Sequence, residues 1–355
     1  MKRNPFFIKL TQWEHWPAFV YYLPLMPFFI MRAIKSGQLI HFIIANPGLL
    51  YSGIGSESKY QTLDLLPKAL IPNSLLVLKS ENIKSIPSKL EALHFKYPMI
   101  AKPDVGFRGY LVKKINTEEE LLRYLDKVKV DVIVQEFIPF KKELGIFYHR
   151  FPGETKGKIT SVTIKKFIES TGDGKHSLSD LILNDERAFL YHELFAKIHK
   201  EKMDFVYPKG EKITLSVIGN HSKGTQFING NDLINNDLEN FINSICCGIE
   251  GWHYGRLDIK YKSFEKLLKG ESFKVLEING IISEPTHIYD ASHEGASFYQ
   301  ALKSINYHWS LMGKIGIKVH EKEGVPYPKV FPLIKELFLL RTYTKKLKKL
   351  NSEDF

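Results

Sequence analysis

The chain has 355 residues, 44% hydrophobic and 25% charged, with no internal repeat, low-complexity tract or heptad run. Such a chain is globular and too long for one compact core, so two or three lobes are expected, and disorder and coiled coil are set aside. A formal charge of +11 calls for an anionic partner: nucleotide, membrane surface or nucleic acid. Nucleic acid is the weakest of the three and is not expected, since no nucleic-acid motif with the required spacing is present. Two cysteines, Cys246 and Cys247, supply no disulfide framework and point to a reducing, cytoplasmic setting.

Residues 16–31 are uncharged, with Lys2, Arg3 and Lys9 before them and Arg32 and Lys35 after. The run falls short of the roughly 20 residues of a membrane-crossing helix, and Pro17, Pro24 and Pro27 are expected to break it. A cleaved signal fits poorly: no small-residue cleavage site follows, and residues 37–44 read as a buried strand. Two readings stay open, a kinked helix pair packed in the core, which is slightly favoured, or an aromatic surface that dips into a membrane interface between basic flanks. Gly48, Gly53 and Gly55 then punctuate a loop before a helical pattern over 58–66, a plain turn more readily than an anion cradle.

From Pro72 onward short strands and helices alternate. Lys102 ends an apolar strand, and the loop 104–109 brings Gly106, Arg108 and Gly109. The glycines would let backbone N–H groups approach a phosphate beside the Lys102 charge, although a hairpin turn explains them equally well. A helix over 117–127 opens with a capping-box pair, Thr117 and Glu120. The strand over 132–138 turns polar at Gln135 and Glu136, and Glu143 stands before a second alternating strand through Ile146 and Tyr148. In TGDGKHSL, Gly172 and Gly174 make a tight turn and Ser177 caps a helix with Asp180; His176 reads most simply as an exposed loop histidine. Residues 212–229 read as two strands around the loop 219–224, where His221 and Lys223 are either acceptor-substrate contacts or part of a basic hairpin.

The stretch from Trp252 to Thr286 organises the rest. With a period of two, Arg256 and Asp258 share one face of a strand, and Glu277 and Asn279 share one face of the next. Neighbouring strands would gather two carboxylates, an amide and a guanidinium on one surface. Crowded carboxylates take up protons or bind a cation, and an oxygen-only set favours Mg2+; a solvated antiparallel pair is the plainer alternative. The carboxyl-terminal region is basic, with Leu333, Leu337, Leu340 and Tyr343 at helical spacing, suited to docking on the body or to an anionic membrane.

Four motifs, MIAKPDVGFRG, VIVQEFIPFKKELG, TGDGKHSLSDLI and GRLDIK with VLEING, together resemble the ATP-grasp superfamily, especially ligases of the D-alanine-D-alanine ligase type, over roughly residues 72–286. The resemblance implies an α+β fold with ATP between a small lobe (72–140) and a large lobe (141–311), to which the residue pattern adds an amino-terminal region (1–71) and a basic helical tail (312–355). It implies adenine at the linker of Glu136, Phe137 and Ile138, and ribose on Glu143. The phosphates would lie on Lys102 and a second lysine, Lys165 or, preferably, Lys166, under the lid of Gly106, Arg108 and Gly109. It further implies Mg2+ on Asp258, Glu277 and Asn279, with Arg256 stabilising an acyl phosphate and its tetrahedral successor. The activity implied is ATP-dependent joining of a small carboxylate to an amine. A catalytically silent nucleotide-binding scaffold at a membrane is the alternative. After Asn279 the chain departs from D-alanine ligases, and Glu284, His287 and Asp290, with His221 and Lys223, suggest a different and more polar acceptor pocket.

Overall fold

The computed structural model describes residues 4–354; Lys2 and Arg3 of the basic amino-terminal flank lie outside the described residues. The chain opens with α1 (Pro5–Thr11), capped by the Asn4 side chain. Then α2 (Ala18–Tyr22) runs through a 3-10 turn at Leu23–Leu25 into α3 (Met26–Ser36), a helical stretch of 19 residues long and apolar enough by composition to cross a bilayer. The prolines do not break it as expected. Pro24 and Pro27 fall in the first turns of their helices, where a missing N–H costs nothing. The favoured core packing holds for one edge only: Tyr21, Leu25 and Ala33 are buried, while Phe19, Leu23, Phe28 and Ile34 are exposed. Gly37, at φ 66°, ends α3, and the strand expected over 37–44 is instead a turn and a 3-10 helix, His41–Ile44. That compact turn packs on Gly313 and Gly316, where a Cβ would collide with His41. A short helix, α4 (Lys59–Leu63), follows behind its Ser58 cap.

The small lobe contains β1 (Ser74–Val77), α5 (Ile86–Ala92), β2 (Met99–Pro103), β3 (Lys113–Ile115), α6 (Glu118–Val128) and β4 (Val132–Glu136). Its sheet is antiparallel in the order β1-β4-β2-β3, with Leu90, Leu121, Leu125 and Val134 in its core. Thr117 caps α6 through Glu120 N, but the Glu120 carboxylate takes Asn116 N, so the capping box is half formed.

The large lobe runs through β5 (Lys142–His149), β6 (Lys158–Lys166), β7 (Glu169–Thr171), α7 (Leu178–Asn184), α8 (Glu186–Phe189), α9 (His192–Ile198), β8 (Lys212–Thr214), β9 (Gln226–Asn229), α10 (Asn236–Cys246), β10 (Tyr254–Tyr261), α11 (Phe264–Leu268) and β11 (Phe273–Asn279). Five strands pair antiparallel in the order β11-β10-β5-β6-β9. Residues 212–229 are not a hairpin: β8 pairs with β7 while β9 joins β6. The loop between them leaves a subdomain with its own core of Ile168, Leu178, Phe195 and Leu215, so its two strands belong to different sheets. Beneath the main sheet Ile146, Ile242, Trp252, Leu257 and Ile259 form one cluster with Leu49, Leu63, Leu66 and Ile71. The second half of residues 1–71 thus packs into the large-lobe core.

Two long helices finish the chain, α12 (Phe298–Glu323) and α13 (Val330–Asp354). The boundary expected at residue 312 cuts through α12. Leu311, Met312, Ile315 and Val319 continue one buried face against Ile40 and Ile43, and the basic charge that suggested a boundary sits on the opposite face. On α13, Leu333 joins that same cluster, whereas Leu347, Tyr343 and Leu350 join the small-lobe core. The tail thus docks on the body and bridges the two lobes.

Candidate active site

The site begins with the register of β10 on β11, where Asp258 lies opposite Glu277 and Arg256 opposite Asn279. On its other side β10 pairs with β5, setting Gly145 opposite Asp258, and β5 sets Glu143 opposite Lys165 of β6. A Cβ on Gly145 would press to 3.2 Å from Arg256 Cδ and 3.3 Å from Asp258 Oδ1, so the glycine leaves room for their ion pair. That pair is two-pronged, Nε to Oδ1 at 3.0 Å and Nη2 to Oδ2 at 3.4 Å. Lys165 Nζ lies 2.7 Å from Glu143 Oε1 and 3.1 Å from Asp258 Oδ2. Two lysines reach the same surface from elsewhere. Lys59, at the start of α4, pairs with Glu277, and Lys102 on β2 donates to Gln135 Oε1 at 3.2 Å and across the cleft to Leu276 O at 3.5 Å.

Charges packed this tightly decide one another's protonation. Burial pushes Glu277 up, but Lys59 and Lys102 outweigh it and hold the carboxyl at about 2. Burial likewise works to lower Lys165 and Lys59, and their carboxylate neighbours reverse it, so both stay charged. For Lys102 burial wins and its pKa falls. Among the described residues no cluster of three or more His, Cys, Asp or Glu could hold a metal. The donor set nonetheless suits a hard cation: Asp258 and Glu277 face each other, and the buried Asn279 Nδ2 has no partner. An amide whose two ends are exchangeable by a flip can turn its oxygen toward a cation.

The linker holds Phe137 and Ile138 beside the cleft. Lys260 lies over the Phe137 ring at 5.5 Å and donates to Ile138 O at 3.4 Å, with Lys114 over the same ring at 4.6 Å. Glu136 is exposed, its carboxylate accepting from Asn73 N. The loop of Gly106, Arg108 and Gly109 lies against the 219–224 loop: Ser222 Oγ donates to Arg108 O at 2.5 Å, and the Gly109 Cα faces Asn220. The Arg108 side chain is exposed and Gly106 is half-buried.

Several expected residues stand elsewhere. Lys166 is exposed and Lys165 holds the site, because adjacent residues of β6 point to opposite faces. The residues expected in a polar acceptor pocket each have partners within the protein. His287 bonds Ser161 Oγ at 2.7 Å, Asp290 accepts from Asn229 N and Ser292, His221 pairs with Glu14 at 2.6 Å, and Lys223 turns to Asn351. Glu284 lines a cavity, and its backbone carbonyl accepts from Arg256 Nη1 at 3.2 Å. Sequence reasoning also missed Lys59 and Lys260. Alternation along β10 puts Lys260 in line with Arg256 and Asp258, a readable signal, whereas Lys59 looks like any lysine in a first helical turn.

No family model matches the chain, and no curated protein does. Solved structures similar to it include a bifunctional glutathione synthetase from Pasteurella multocida (17% identity over 70% of this chain and 35% of that one, TM-score 0.37). They also include the VanG D-Ala:D-Ser ligase from Enterococcus faecalis (15%, 76% and 62%, TM-score 0.42) and the ATP-grasp ligase PsnB complexed with minimal precursor (12%, 72% and 60%, TM-score 0.37). The chain spans about a third of the synthetase and a little over three fifths of VanG. The chain itself forms two antiparallel α+β lobes with a charged cleft between them.

Proposed function

We propose that the protein is an ATP- and Mg2+-dependent ligase that joins a small carboxylate to an amine through an acyl phosphate. The observation behind this reading is the cross-strand pair Asp258 and Glu277, flanked by Arg256 and the unpartnered Asn279 amide and faced by Lys102 from the other lobe. Six charged groups converge where phosphate transfer needs them, and a solvated strand pair has no use for Lys59, Lys102 and Lys165 at once. Mg2+ held by Asp258, Glu277 and the Asn279 oxygen would neutralise phosphate charge as it develops. Lys102 and Lys165 would hold phosphate oxygens, Glu143 the ribose, and the backbone at Phe137 and Ile138 the base. In the reaction a substrate carboxylate oxygen attacks the γ-phosphorus and ADP leaves. The amine nitrogen, having lost a proton, then attacks the acyl carbon and inorganic phosphate leaves. Arg256, which Asp258 keeps charged against the pull of burial, would stabilise the oxyanion between these states.

The test is ADP release from ATP with paired carboxylic acids and amines. Glu277→Gln is expected to lower it at least a hundredfold with an unchanged circular dichroism spectrum. Unchanged turnover in that variant would sink the reading, and ATP binding without ADP release from any pair would favour a silent nucleotide-binding scaffold instead.

We also infer that the ligase works on an anionic membrane surface. Phe19, Leu23, Phe28 and Ile34 are exposed on α2 and α3 between the exposed Lys9 and Lys35. On α13, exposed Phe331, Ile334, Leu337 and Phe338 are followed by exposed Arg341, Lys345, Lys346 and Lys348. Apolar side chains beside lysines match a lipid interface with negative headgroups.

A further inference from the structure

A cavity of about 260 Å³ opens beside the proposed acyl-transfer centre, between Tyr22 of α2, Ile305 and Trp309 of α12, and the segment 281–285 that follows β11. Its walls are apolar: Tyr22 stacks on Trp309 at 5.5 Å with the rings 9° apart, and Ile281, Ile282 and Ile305 complete them. Three of the polar side chains in its lining are already satisfied within the protein. Tyr254 OH donates to His308 O, His308 bonds Ser304 O and Thr160 Oγ1, and Ser283 Oγ donates to Gly280 O. Glu284 brings the one carboxylate to the lining. It accepts from Tyr289 OH at 2.7 Å and has no ion-pair partner among the described residues.

We propose that this cavity binds the amine substrate of the ligase, with Glu284 pairing its ammonium and the Tyr22, Trp309 and Ile305 walls enclosing an apolar body. The proposal rests on the ligase reading for its chemistry. Charge decides which substrate enters: an uncompensated carboxylate repels the carboxylic acid and attracts the amine. Position agrees, because the carbonyl of the same Glu284 is the one that Arg256 grips, so the charged end of the cavity abuts the centre where an acyl group would be held. Size agrees too. The volume lies below the roughly 300 Å³ of the smallest drug-sized sites, which suits a primary amine with a short hydrocarbon or aromatic body and excludes a peptide. When the bond forms, nitrogen joins the acyl carbon, phosphate leaves, and Glu284 can take the proton the ammonium gives up. Burial raises its pKa, with the Tyr289 hydroxyl opposing, the direction that makes a carboxylate a better proton acceptor. Tyr22 lies on the exposed apolar stretch, so the same amine chemistry could arrive from solution or from a bilayer.

Calorimetric titration of the full chain with hexylamine, benzylamine, ethanolamine and hexanoate tests the proposal without any turnover. Hexylamine and benzylamine are expected to bind at least tenfold more tightly than ethanolamine or hexanoate, and Glu284→Gln to lose at least tenfold toward the amines while ATP binds as before. Ile305→Trp, which fills the cavity and leaves Glu284 in place, should weaken both apolar amines and keep ATP binding; it guards against a misfolded Glu284 variant. Equal binding of hexylamine and hexanoate, or amine binding that neither variant alters, would overturn the assignment. This outcome is independent of ADP release, so failure of the ligase reading would show separately. Repeating the titration with dodecylamine in solution and in phosphatidylcholine vesicles distinguishes the two sources: tighter binding from vesicles assigns membrane delivery, and tighter binding from solution assigns a soluble amine.

Discussion

Glu14 is the ionic anchor of the amino-terminal arm. Its two oxygens each lie 3.0 Å from Arg187 Nη1, and one lies 2.6 Å from His221 Nε2, so His221 is committed to the arm. Burial pushes this carboxyl up, yet His221 and Arg187 more than offset that and bring it to about 2 from an ordinary value of 4.5. A depressed carboxylate contributes stability that is complete above the unfolded pKa and is lost as the pH falls through the folded one. The arm should therefore detach between about pH 4.5 and 2. Trp13 and Trp16, which pack with Tyr21 and Phe298, report on it. Tryptophan emission is expected to shift red across that window in the wild type, and Glu14→Gln should show part of the shift already at pH 7. If the variant and the wild type differ by the same amount at pH 2 and pH 7, Glu14 is not the anchor.

At the scale of one element, α13 is the piece that joins what the linker leaves free. Leu333 packs with the large-lobe helices, Leu347 is fully buried in the small-lobe core, and Asn351 Oδ1 accepts from Leu111 N at 3.0 Å beside the lid and from Lys223 Nζ at 3.4 Å. A helix fastened at both ends restrains the opening of the cleft. Leu347→Ala removes a fully buried side chain and should cost about 2–5 kcal/mol. Limited proteolysis at the lid loop 104–111 should quicken in this variant and more so when residues 330–355 are deleted. Cleavage at the wild-type rate in both would show that α13 does not restrain the lobes.

For the whole molecule, the exposed apolar helices and the lysine-rich end of α13 make one testable statement. Full-length protein is expected to sediment with vesicles containing phosphatidylserine and far less with neutral ones, and 0.5 M salt, where the screening length falls to about 4 Å, should release part of it. Replacing Phe331, Ile334 and Phe338 together by Ser should weaken binding without opening the lobes, since these side chains face solvent while Leu333 and Leu347 make the packing contacts. Equal recovery of wild type and triple variant from anionic vesicles would count against lipid contact through α13.

Strand periodicity alone put Arg256 and Asp258 on one face of their strand, with Leu257 on the other, and Glu277 and Asn279 on one face of the next, with Ile278 on the other, while the register that sets Asp258 opposite Glu277 came from the paired strands. The same rule made Lys260 legible, and local capping made the Ser177 and Thr117 helix starts legible. Tertiary structure decided the rest. Lys59 approaches Glu277 across more than two hundred residues of chain, and no local pattern reports a contact whose only cause is the folding of the amino-terminal segment onto β11. Lys165 and Lys166 could be separated only once β6 had a known inward face. Similarly, β8 and β9 look like one hairpin until each has a different partner sheet, since sequence alternation specifies a face and not a neighbour. Whether an apolar helix is buried is likewise a question of what packs on it: composition made residues 16–31 apolar, and only the packing of α12 determined that Tyr21 and Leu25 go inside while Phe19 and Leu23 stay out.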